Sequence, residues 1–196
     1  MNKCKKMSII IISISTLAIL LSIVWIYTGY KNPSSTTIWV RNLYKVKEDY
    51  AESIKSPKIV IIAGSSTLFG VSAKTIEETL KIPTVNLGTH AGIGVDYILG
   101  RAKRSLKPND LAIVALEYEH YWADESATHG KDGVVLNYDK QYFRSLPMQE
   151  QQGAIVTVLK PLHLIKVFFE TLTENDDYTK SGYSSKTLNL NGDEQR

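Results

Sequence analysis

Ser65 and Ser66 follow the apolar run at residues 59–63 with only Gly64 between, in the stretch IVIIAGSSTLFG, which Gly70 closes. A serine on a tight strand-to-helix turn presents its hydroxyl to the cleft beyond the sheet. Backbone N–H groups at the following helix start can stabilise an oxyanion there. Such a serine attacks an acyl carbonyl, forms an acyl-serine intermediate and passes the acyl group to water or to another hydroxyl. The same two serines also have a purely structural use, as caps of the helix that follows. A nucleophile needs a base, and the chain has four histidines: His90, His120, His129 and His163. His90 lies in GTHAGIG and His120 in EYEHY, which follow the second and third apolar runs. In a parallel sheet all three segments meet beyond the carboxyl ends of the strands. With Glu117 or Glu119 orienting the histidine, a Ser66–His120–Glu arrangement satisfies triad logic by geometry, whatever the chain order.

Other chemistries do not fit the spacing. A phosphate loop needs four residues between its glycines and then Lys-Ser/Thr. Here five separate Gly64 from Gly70, and Val71 follows. GIGVDY places Tyr97 where a dinucleotide fingerprint requires its third glycine, and Leu68 stands where the elbow G-x-S-x-G requires its last. The single cysteine, Cys4, excludes an internal disulfide and any cysteine-based metal site. No metal or cofactor is implied. A net charge of +3, with lysines and arginines scattered, gives no case for nucleic acid.

The elements that must position these residues begin with an uncharged stretch at residues 8–27, preceded by Lys3, Lys5 and Lys6. About 20 helical residues cross a hydrocarbon core, and Trp25, Tyr27 and Tyr30 lie where an aromatic belt is expected. The alternative is a cleaved signal peptide, but WIYTGYKNPSS offers no small-residue cleavage site. We expect a single-pass anchor, with the N-terminus cytoplasmic and the rest of the chain extracytoplasmic. Residues 1–30 then form the basic end and anchor, and 31–57 a linker and juxtamembrane helix. Residues 58–173 form an α/β domain, and 174–196 a polar, mobile tail.

Within residues 38–54, Trp39, Leu43, Val46, Tyr50 and Ile54 recur at helical spacing. Strands are expected over 58–63, near TVNLG after Pro83, and over 111–116. Helices are expected near 73–81, capped by Ser72, and over 95–106. This alternation is that of a three-layer parallel sheet with right-handed crossovers, its apolar strands covered on both faces. WADESATHGKDG reads as a loop. Residues 147–172 read as helix divided at Pro161. The apolar side chains after Pro161 suit core packing, with lipid contact as the alternative.

IVIIAGSSTLFG and VNLGTHAGIG resemble the first two sequence blocks of the SGNH/GDSL hydrolases, with Gly64-Ser65-Ser66 in place of Gly-Asp-Ser. Together with the N-terminal apolar stretch they most resemble membrane-tethered members acting on envelope polymers, of DltD-like or alginate-acetylation type. The resemblance spans roughly residues 58–120. It implies a flavodoxin-like topology and Ser66 as nucleophile. It also implies an oxyanion hole formed by the N–H groups of Ser66 and of Gly92 or Gly88. The third block departs: Leu116-Glu117-Tyr118-Glu119 stands where Gly-x-Asn-Asp belongs, leaving the Tyr118 hydroxyl as the substitute donor. The family's Asp-x-x-His is missing, since Leu87, Glu117, Ser126 and Lys160 lie three residues before the histidines.

With three strands where such domains have about five, we expect an incomplete domain from a longer protein. The expected function is an esterase or O-acyltransferase acting on envelope polysaccharide, with the polymer or an acyl donor and the membrane as partners. The alternative is a truncated or inactive SGNH-like domain that binds or assembles within an envelope complex, alongside a protein partner. His120 and, less directly, His90 are the candidate bases.

Overall fold

The computed structural model describes residues 3–122, 130–173 and 183–195. Helix α1 (Lys3–Lys31) contains one apolar span, Lys5–Tyr27, long enough to cross a membrane. The hydroxyls of Thr16 and Ser22 donate to the carbonyls of Ile12 and Ala18 one turn back, so neither leaves an unmet donor on an apolar surface. Helix α2 (Ser35–Ser53) begins four residues beyond α1, and its N-cap Ser34 accepts the Thr37 N–H. The helix starts three residues before the periodicity does, because capping and not hydrophobic spacing sets its first turn.

Strands β1 (Ile59–Ile62), β2 (Thr84–Asn86) and β3 (Leu111–Val114) form one parallel sheet in the order β2-β1-β3. Ile59 aligns with both Thr84 and Leu111. Alternation along β1 divides the core. Val60 and Ile62 join Trp39 and Leu43 of α2 and Ile98 of α5 (Val95–Ser105), while Ile59 and Ile61 meet Ala73 and Ile76 of α4 (Ala73–Leu80). Ser72 caps α4 by accepting the Thr75 N–H. A buried ion pair fixes the start of the sheet: Lys58 Nζ lies 2.6 Å from Asp110 Oδ2, and both side chains are fully buried.

The apolar run at 111–114 is not covered as expected. All four residues of β3 are exposed, and among the described residues the strand pairs only with β1. An edge strand and a central strand of a parallel sheet share one composition, so the run alone did not distinguish them.

Past the sheet, helix α6 (Gly130–Tyr138) takes in the last four residues of the expected loop, and Asn137 Nδ2 closes a turn onto Gly133 O. The rest of WADESATHGKDG falls partly outside the described residues, His129 included. Helices α7 (Lys140–Ser145), α8 (Met148–Leu159) and α9 (Pro161–Thr173) follow, with the expected division at Pro161. The polar end of the chain is docked where it is described. Asn191 O accepts the Asn86 N–H at 2.8 Å, and Asn191 Nδ2 donates to Thr84 O, so residues 183–195 cover the outer edge of β2. A mobile tail was expected from composition. Hydrogen bonds, which composition does not reveal, hold this part of it.

Candidate functional site

β1 ends at Ile62, and the chain turns through Ala63 and Gly64 into a short helix, α3 (Ser65–Gly70). The helix expected after the first strand was placed near 73–81; α3 precedes it and holds Ser66, which is exposed, in its first turn. The Glu117 carboxylate, three residues past β3, closes on this turn. Its Oε1 accepts the Ser66 N–H at 2.8 Å and the Ser66 hydroxyl at 3.0 Å, and its Oε2 accepts the Gly64 N–H at 3.0 Å. Glycine at 64 permits this approach: a Cβ there would stand 2.5 and 2.6 Å from the two Glu117 oxygens and 2.7 Å from Ala91 Cα. Partial burial pushes the Glu117 carboxyl up, but the hydrogen bonds from Ser66 and Gly64 outweigh it and hold it below the usual range.

The two candidate bases lie differently. His120 Nδ1 is 3.2 Å from Glu117 Oε2 without hydrogen-bond alignment, while its Nε2 is 3.0 Å from Ala91 O. A carbonyl only accepts, so that nitrogen carries a proton and is engaged away from Ser66. The structure therefore brings Ser66, Glu117 and His120 together in an order that puts the carboxylate, not the imidazole, against the serine. His90 is further removed. Its Nδ1 accepts the Gly92 N–H at 2.9 Å, its ring meets Trp39 edge-on, and burial holds it below the ordinary histidine value.

Each expected oxyanion donor has a partner inside the chain. Ser66 N–H goes to Glu117, Gly92 N–H to His90, and Gly88 N–H to Asn86 Oδ1 at 2.8 Å. Tyr118, the expected substitute, is 75% exposed and tilts against Trp122.

Three residues assigned no site role from the sequence support the second loop. Asn86 Nδ2 donates to Thr67 O, Val71 O and Asp193 Oδ1, joining the serine turn to the chain's end. Asp193 accepts the N–H groups of Ala73 and Lys74 at the start of α4. Lys47, fully buried on α2, donates to Gly88 O at 2.6 Å, and burial lowers its pKa to about 7 against the pull of Asp193 and Glu194. Asn86 carries a visible signal, the asparagine of the VNLG motif. Lys47 and Asp193 carry none, since both look like ordinary surface charges.

No group of three or more potential metal ligands occurs among the described residues. A groove of about 260 Å³ between α2, α5 and α6 is lined by Tyr44, Glu48, Tyr97, Arg101 and Tyr138, and it shares no lining residue with the Ser66 turn. Fold and site together define a mixed α/β chain with an apolar N-terminal helix and a serine turn at the carboxyl end of a parallel sheet. The chain matches no family model, no curated protein and no solved structure.

Proposed function

We propose that the chain is a membrane-anchored, extracytoplasmic SGNH-like module that works as a binding or assembly component at the cell envelope. Its serine turn is closed by its own carboxylate. One observation carries this reading: Glu117 accepts the Ser66 hydroxyl and the Ser66 N–H with the same oxygen. An oxyanion forming at Ser66 would lose that donor and face a like charge. At about 4 Å such a pair repels by roughly 1 kcal/mol in water and about 4 kcal/mol near a protein surface. The same carboxylate is a weak base, because its pKa is lowered and not raised toward neutrality.

A second reading, an esterase or O-acyltransferase on envelope polysaccharide, draws on the exposure of Ser66 and on the proximity of His120 to Glu117. It requires Glu117 to leave the turn and an imidazole to replace it. Labelling of the full chain with a fluorescent fluorophosphonate separates the two. We expect no labelling at Ser66 in folded protein. Labelling that disappears in Ser66→Ala would overturn the binding reading and establish an activated serine.

A further inference from the structure

We infer that α8 and α9 form a second membrane-contacting element, lying in the bilayer interface beside α1. This rests on the reading of α1 as an uncleaved anchor. α8 and α9 meet at a 56° bend on either side of Lys160. On α9, Leu164 and Val167 are 4% and 1% exposed, so one face packs onto the protein. Leu162, Ile165 and Phe169 recur at three- and four-residue spacing on the other face and are 82%, 41% and 56% exposed. An outward apolar face of this kind needs a cover.

The position of α9 identifies that cover as lipid. Phe168 stacks on Trp25, near the end of the apolar span, with ring centroids 6.1 Å apart. Two residues on, the buried carboxylate of Glu170 accepts the Ser35 N–H at 3.0 Å at the start of α2. α9 is thus tied to the outer end of α1 and to the joint where the chain leaves it. Its apolar face is continuous with a surface already in lipid.

The charges argue for an in-plane position over a spanning one. Lys160 sits at the bend, and Lys166 is 55% exposed while pairing with Glu170 at 3.5 Å. Lysines of this kind carry apolar stems along the interface and keep their ammonium groups among headgroups.

The test uses the full chain with Cys4→Ser, reconstituted into vesicles of phosphatidylcholine and phosphatidylglycerol. Single cysteines replace Leu162 or Phe169 and carry an environment-sensitive fluorophore. Leu17 in α1 serves as the lipid control and the exposed Leu80 on α4 as the aqueous one. All four side chains are exposed, so the probe does not enter the core. Lipids brominated at upper acyl-chain positions should quench the probes at Leu162 and Phe169, lipids brominated near the chain ends should quench Leu17 at the middle of its span, and neither should quench Leu80. If Leu17 is quenched and both α9 positions behave like Leu80, the inference fails and the anchor stands. Blue-shifted but unquenched probes on α9 would mean that another protein covers this face, which also overturns it. An unquenched Leu17 would remove the anchor reading, and this inference with it.

Discussion

Glu117 holds Ser66 from two sides at once, taking its hydroxyl at 3.0 Å and its backbone N–H at 2.8 Å on a single oxygen. The Ser66 N–H that an acyl-transfer site would aim at an incoming carbonyl is thereby aimed at the chain's own carboxylate. The contact spans β1 and β3, so it also ties the two strand ends together. Glu117→Ala should lower stability by roughly 1–3 kcal/mol, the cost of leaving the buried Gly64 N–H unmet. Urea unfolding of the chain in detergent, followed by tryptophan fluorescence, measures this. Because folding lowers the Glu117 pKa, its contribution is present above the ordinary carboxyl range and should fade as pH falls through the lowered value.

Gly64→Ala should act on the same contact from the other side. The added Cβ would stand within 2.6 Å of both Glu117 oxygens and would press on the Ala91 backbone. Gly70→Ala is the matched control, since a Cβ there meets nothing within 4 Å. The first variant should melt well below the wild type and the second should not. Equal melting temperatures would remove the close approach as the reason for glycine at 64.

Asp110→Ala should be among the most damaging single changes in the sheet. Asp110 accepts from Lys58 Nζ, from the Lys58 N–H and from the Lys107 N–H. Its loss strands a fully buried ammonium, a change that costs about 3–5 kcal/mol. Burial alone would raise the Asp110 carboxyl, but these hydrogen bonds prevail and hold it at about 2. The stabilisation is therefore complete above the ordinary aspartate pKa and is lost only as pH falls toward about 2. Acid unfolding curves of wild type and variant should converge there.

Lys47 gives a dependence of the same sign at higher pH. Burial lowers its pKa from 10.5 to about 7, so between those values the unfolded chain binds a proton that the folded chain does not. Stability should rise with pH across that window, by at most about 1.4 kcal/mol per pH unit from this one group. Lys47→Met should flatten the rise. An unchanged slope would show that Lys47 is charged and solvated in the folded protein.

Much of this architecture is legible in the sequence. The spacing of Leu43, Tyr50 and Ile98, the cap at Ser72, the break at Pro161 and the three apolar runs all lead to the observed elements, because each is a local effect of period, capping or ring geometry. What escapes is non-local. The exposure of Ile113 depends on what lies beside it, not on its neighbours in sequence. Asn191 and Asp193 dock through side-chain hydrogen bonds, and a polar composition hides such contacts. For the site, Ser66, Glu117 and His120 were all nameable. Their order was not, since a carboxylate three residues before a histidine looks the same whether it orients that histidine or displaces it.

The exposed third strand gives the sheet a direction of growth. One border is finished: β2 is sealed by Asn191, which occupies an Asn86 N–H and the Thr84 carbonyl. Among the described residues no strand lies beside the other border, where Leu111, Ala112, Ile113 and Val114 are exposed. A strand added beside Leu111–Val114 would lie next to the segment that carries Glu117 toward Ser66. Recruitment at that border and the state of the serine turn are then one mechanical problem, because both hang on the same few residues of backbone.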